Sequence, residues 1–312
     1  MEKKWIPLSV FAGTTVLAAV CLTAFIPNKT HHVLRPIPKG CVFRTVMGEE
    51  SSDSMFIFKT PERVTHAVNR GLDWLVRAQH PQGGWGAGSH YRQDIMDPHA
   101  VQPDPATTAM VAMALLRSGS NLREGEYQSA LRSALDYMLN MIEHAPASSF
   151  TITDQTGTQI QTKLGTNIDV VLASQFLSNL LDGHLNHDVV LKNRVKRAND
   201  ICVVKIQRAQ DRNGSLNGSG WAGVLQSSFA TNALEAAQAQ GADVDDDALD
   251  RARAFQKNNY DTKTGDVNTD LGAGIVLYSV SGSTRASAKE ARRVKEEMEK
   301  ATRDGRLAPG AA

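Results

Sequence analysis

Residues 70–85 read RGLDWLVRAQHPQGGW, and the parsing of the whole chain turns on them. Behind this stretch, Val64, Ala67, Val68, Gly71, Leu72, Leu75 and Ala78 recur at helical spacing. They predict an amphipathic helix, opened by Thr60-Pro61-Glu62 and ending near Gln79. Gln79 stands where a side-chain amide can satisfy the backbone groups that a helix end leaves unpaired. Gly83 and Gly84 permit a tight turn, and Trp85 supplies a broad apolar face to close over it. Ahead of the stretch, residues 109–116 read AMVAMALL, apolar on every side.

That contrast repeats. Amphipathic segments start near 61, 126, 188 and 246; segments apolar nearly all round start near 105, 166, 226 and 269. A helix with one apolar stripe faces solvent on its other side, whereas one without a polar face has to be enclosed. The alternation therefore predicts two layers of helices, and its period of roughly 45–65 residues is a repeat signal.

The spacing Arg70-Gly71-x2-Trp74-Leu75-x3-Gln79-x3-Gly83-x-Trp85 resembles the QW motif of the prenyltransferase/squalene-oxidase repeat superfamily. Blurred copies follow. One keeps Arg197-Ala198 and Gln210-x3-Gly214, with Leu216 in place of the tryptophan and Trp221 only later. Another keeps Arg251-Ala252-x2-Phe255, with Tyr260 at the glutamine position and Gly265 after it; the weakest keeps Ala134-x2-Tyr137. The resemblance implies an all-α fold over 61–302, an α/α toroid-like set of about four helical hairpins with a ninth helix near 285–302. A closed ring of six pairs needs about twelve helices, so the ring is open or a second copy of the chain completes it. Gly71, Trp74, Gln79, Gly83 and Trp85 are the structural motif in this reading and say nothing about catalysis.

The family's chemistries can be tested residue by residue. A cyclase of the squalene-hopene kind needs a strong, positioned carboxylic acid in an Asp-rich motif at the start of an inner helix. The matching place here is Asp104-Pro105-Ala106-Thr107-Thr108-Ala109, where Ala106 and Thr107 replace two acids. The literal Asp243-Val244-Asp245-Asp246 opens an amphipathic helix, where acids suit the helix N-terminus. The zinc site of the prenyltransferases would need a cysteine in the inner layer, but Cys41 lies in a linker and Cys202 on an outer helix. No metal and no cofactor is expected.

Polar residues remain at the starts of the enclosed helices. Asp104, Asp169 and Asp270 would gather at one rim of a toroid, which makes them the candidate catalytic carboxylates; plain N-capping explains them equally well. His90, Tyr91, Asp94, Asp97 and His99 on the loop 86–104, with Asn167 and Ser227, are the candidate ligand-binding residues. The expected role is non-catalytic binding of an apolar lipid or a peptide. The alternatives are a terpene cyclase that uses the rim acids and a scaffold that assembles with other repeat proteins.

The ends of the chain and its composition complete the picture. Residues 6–26 form a run of 21 without a charge, long enough to span a bilayer, so 1–26 reads as an uncleaved anchor, with a cleaved signal segment or lipidation at Cys21 as the alternatives. The short tail before it favours a periplasmic or extracellular location for the rest. Residues 27–60 read as a linker and 303–312 as a disordered tail. Among 312 residues, 34 Lys+Arg against 33 Asp+Glu leave a net charge of +1, which excludes a generally basic nucleic-acid binder. Three cysteines cannot build a disulfide framework, and Cys41 with Cys202 reads as two unrelated thiols or as one exported disulfide.

Overall fold

The computed structural model describes residues 61–218 and 220–306. The expected anchor 1–26, the linker 27–60 with Cys41, and residues 307–312 lie outside the described residues. Among the described residues no helix is long and apolar enough to cross a membrane.

The fold is all-α. Among the described residues nine α-helices follow one another: α1 (Glu62–Arg77), α2 (Pro105–Arg117), α3 (Gln128–His144), α4 (Gln159–Leu164), α5 (Ile168–Leu181), α6 (Val189–Arg208), α7 (Gly223–Ala239), α8 (Asp246–Lys257) and α9 (Val276–Arg303). Helix α5 packs against α2 on one side and α7 on the other, with α9 beyond α7. A second row of α3, α6 and α8 backs this one: α3 packs on α2 and α6, α6 also on α5 and α7, and α8 on α7 and α9. The first three of the segments expected to be enclosed, in α2, α5 and α7, thus form the inner row, with α9 at its end. Of the residues in α5, only Gln175 and Asn179 escape burial. Ser174 and Ser178, which would otherwise be polar groups buried without water, bond to Asn199 of α6 at 2.7 and 3.1 Å. Each buried Val, Leu or Ile of this helix contributes roughly 1.5–3 kcal/mol of transfer free energy.

Outer and inner helices are joined by a fixed set of bonds. At the first joint Gln79 donates to the carbonyls of Gly83 (2.6 Å) and of Ala130 on α3 (2.9 Å), while Trp85 is sealed in at 4% exposure. The Trp85 indole donates to the carbonyl of Leu75 at 2.7 Å, and its backbone N–H donates to Thr108 Oγ1 at 3.0 Å. At the joint after α6, Gln210 reaches Gly214 and Ala248 of α8, and the N–H of Leu216 donates to Ser227 Oγ at 3.0 Å. The turn after α8 closes by a bridge between Tyr260 and Val267. The joint after α3 works differently: Lys205 of α6, itself buried, donates to the carbonyls of Pro146 and Ser149, both at 2.7 Å. Arg208 adds bonds to Ala147 and Ser148 and lies over the Phe150 ring.

Three expectations need correction. The apolar stripe of α1 is covered only in its second half, where Leu72 and Ala78 are buried; Val64, Ala67, Val68 and Gly71 are exposed. Trp74 is likewise 54% exposed and takes no part in the turn. The fourth segment is not enclosed: 269–275 is loop, Leu271, Ile275, Val276 and Leu277 are exposed, and from Val276 it runs on unbroken into the expected ninth helix as α9, to Arg303. Its run 281–286 holds no proline, and Gly282 sits against Gln256 of α8, where a glycine permits close approach. Further along, Lys289 of α9 and Arg253 of α8 both pair with Glu235 of α7, which fixes the end of the inner row.

Candidate functional site

The inner helices begin in a layer of buried polar groups. Asp104 caps α2: its Oδ1 accepts from the N–H of Thr107 at 2.7 Å, and its Oδ2 from Thr107 Oγ1 at 2.9 Å and the N–H of Ala87 at 3.0 Å. Asp169, on the first turn of α5, caps its neighbour instead. Its Oδ1 accepts from the N–H of Ala106 on α2 at 3.2 Å, and its Oδ2 from Gln161 Nε2 of α4 at 2.7 Å. Both aspartates are 0% exposed. Burial raises the pKa of Asp104 and pushes that of Asp169 up to about 7, where the charge on Asp104 adds to the shift and the Gln161 bond opposes it. Burial and the same two carboxylates raise the Tyr137 phenol, whose OH donates to Pro103 O at 2.9 Å.

A general acid must touch its substrate. Asp104 and Asp169 are brought together, but each oxygen faces a helix N–H or a side-chain donor and neither reaches solvent. Asp270 stays apart from the pair, exposed in the loop before α9. Asn167 and Ser227 belong to the same buried layer. The N–H of Asn167 donates to Gln226 Oε1 at 3.0 Å and its side chain to Asn217 O; Ser227 Oγ accepts from Leu216 and donates to Gly223 O. Asp245, in the literal acidic motif, caps α8 through the N–H of Asp247 at 2.9 Å.

The part of the loop from 89 to 102 stays at the surface. Asp94 pairs with Arg92, Asp97 with His99, and His90 Nδ1 lies 3.1 Å from Gln159 Oε1. The half-buried His90 ring stands edge-on to the exposed Tyr91 and Trp221 at centroid distances of 5.5 and 4.9 Å. Among the described residues no three His, Cys, Asp or Glu side chains converge as a metal site.

The feature with the build of a ligand site lies elsewhere. A cleft of about 490 Å³ opens between α1, α2, α5 and α7. Val68 and Leu72, Met110 and Met113, Leu172 and Phe229 supply its walls, and Gln175, Ser118 and Arg117 are its polar members. Met110 and Val68, 48% and 52% exposed, mark its open side. Gln175 is held by a bond from its Nε2 to Phe229 O at 3.0 Å, so its donor faces the wall and not the hollow. A hollow of about 560 Å³ beside the 145–154 loop mixes Met141, Pro146 and Ile152 with Asn140, His144, Thr151 and Asp154, so polar groups interrupt its apolar lining more than they do in the cleft. None of the carboxylates named from sequence lines the apolar cleft. The sequence argument missed the cleft-lining residues; its one available signal was Met110 and Met113, paired three residues apart among alanines.

Comparison of the chain with protein-family models, with curated proteins and with solved structures returns no match.

Proposed function

We propose that the chain is a non-catalytic binding protein whose apolar cleft holds a lipid. In this proposal it is an open ring of helical hairpins resembling the squalene-cyclase and prenyltransferase repeats. The run 6–26 holds it to a membrane, with the helical domain outside the cytoplasm. Two helical rows and the recurring glutamine joints support the toroid part of the reading. The observation that carries the function is the cleft between α1 and the inner helices: apolar walls, two adaptable methionines and an open side, in the size range that encloses one small ligand. A terpene cyclase would need an acid facing that hollow, and both buried aspartates are turned into helix caps. A charge placed on the cleft wall tests the proposal. Met110 is half exposed, so Met110→Glu leaves the core intact while desolvating a carboxylate against any bound lipid. The full chain should retain lipid through purification, seen by extraction and mass spectrometry, and the variant should lose at least about tenfold of it. Equal lipid in both proteins would refute the cleft as the binding site.

A further inference from the structure

The charge on the cleft narrows the ligand class, and the inference rests on the cleft being an apolar-ligand site. Arg117 is the one charged residue among those that line it. It is exposed, in the last turn of α2, and has no ion-pair partner among the described residues. Of the other arginines on or against the inner row, Arg253 pairs with Glu235 and Asp250 and Arg208 holds the 145–154 strap, while Arg285 of α9 is not among the residues that line the cleft. The remaining walls offer no competing charge. Ser118 Oγ donates to Leu115 O at 2.7 Å, and the Gln175 amide is tied to Phe229. Among the described residues, an apolar trough with one unpaired arginine in its lining complements a molecule with one apolar chain and one anionic head.

We propose that the cleft binds a single-chain amphiphile with a carboxylate head, the head on Arg117 and the chain along Met110, Met113, Leu172 and Phe229. One guanidinium matches one carboxylate in a planar, two-bond fork. A diphosphate head carries more charge than one cation neutralises, so an isoprenyl diphosphate fits this cleft less well. The volume argues for one chain: about 490 Å³ is at the lower end of the roughly 300–1,000 Å³ of ordinary ligand pockets. The backbone carbonyls at the end of α2 repel an anion, and the length of the arginine side chain holds the head away from them.

Photolabelling of the full chain tests this with three probes of equal length: dodecanoate, dodecanol and dodecyltrimethylammonium, each with a diazirine at the tail end. Peptide mass spectrometry reads the label on 105–117 and 223–239. Dodecanoate should label these segments about fivefold more than dodecanol, the scale of a partly solvated ion pair. Arg117→Gln should reduce dodecanoate to the dodecanol level, and Arg117→Lys should keep most of the preference. If dodecanoate and dodecanol label equally, or Arg117→Gln changes nothing, the carboxylate assignment is overturned while the apolar cleft stands. Preferential labelling by the cationic probe overturns it as well. If none of the three labels the cleft, the binding proposal itself fails.

Discussion

The joint after α1 and the joint after α6 are closed by the same bonds, yet one is finished with Trp85 and the other with Leu216. In each, a glutamine amide spans its own turn and then reaches the first turn of the next outer helix, at Ala130 or at Ala248. In each, the N–H after the turn is accepted by a hydroxyl on the inner helix, Thr108 or Ser227. The residue that closes over the turn is buried in both, at 4% for Trp85 and 6% for Leu216. The shared parts are the amide, the positive-φ glycine and the hydroxyl, so these join one hairpin to the next. The large side chain adds apolar burial and one indole bond, and a leucine can take its place.

The largest expected effect comes from the turn glycines. Gly83 and Gly214 sit at φ +95° and +90°, and a Cβ would stand 2.4 Å from Ser133 O and 2.1 Å from Arg251 O. Backbone oxygens of the next outer helix cannot step aside as a flexible side chain would. Gly83→Ala and Gly214→Ala should therefore each cost at least about 4 kcal/mol or leave no folded protein. Gly71, in the same motif, is a control: it lies mid-helix with nothing within 4 Å of a Cβ, so Gly71→Ala should stabilise by about 0.5–1 kcal/mol. Urea denaturation of the three variants decides the matter. A silent Gly214→Ala beside a damaging Gly83→Ala would mean that the two joints are not mechanically alike.

The same contrast explains what could be read without coordinates. Helix α5 was legible because its composition leaves no polar face, and burial follows from that alone. The stripe of α1 was legible as a helix but not as half uncovered, since sequence shows an apolar face and not whether a neighbour lies on it. The separation expected between the apolar segment ending at 280 and the charged helix starting at 285 is absent: Gly282 serves close packing on α8 and the helix continues through it. The acids at 104 and 169 were visible as helix-start residues. Their complete burial depends on Tyr137 and Gln161, which arrive from other helices. Met110, Met113 and Phe229 were visible only as members of enclosed helices, because which side of α2 and α7 lacks a neighbour is set by where α1 comes to rest.

The next effect separates the joints by charge. The first joint is built beside two buried carboxylates, whereas the corresponding layer of the second holds Gln226 and Ser227, which do not titrate. Asp169 has its pKa pushed from 3.8 up to about 7, chiefly by burial, so the native state binds its proton more tightly than the unfolded chain. Stability from this group is therefore fully present below about pH 4 and is lost as pH rises toward 7. Between pH 5 and 7 the loss amounts to about 2–3 kcal/mol at one proton per molecule. Asp169→Asn should flatten that slope. The variant also sets an amide donor against Gln161 Nε2, so the slope is the quantity to compare and not the midpoint. Protection factors, which correct for the base catalysis of exchange itself, should fall with rising pH around 85–108 and hold steady around 214–227; parallel changes in both segments would contradict the placement of the charge at one joint.

The smallest effect tests the amide itself. Gln79 and Gln210 each donate two bonds from one nitrogen to carbonyls of two different elements, and both are only partly buried. Removing such a donor leaves acceptors that water can partly satisfy, so the cost is that of ordinary net hydrogen bonds, about 1–2 kcal/mol. Gln79→Ala and Gln210→Ala should therefore fall within about 0.5 kcal/mol of each other, and the two losses should add in the double variant because the joints share no partner. Two features pull the other way. The bond from Gln210 to Gly214 is longer, at 3.5 Å against 2.6 Å, and Arg251 also donates to Gln210 Oε1 at 3.2 Å. The longer bond weakens the second joint, and the arginine restores an interaction that the first lacks. If Gln210→Ala is nearly silent while Gln79→Ala costs the full amount, the second joint is held by Leu216 and Arg251, and the glutamine there is a relic of the pattern and not its working part.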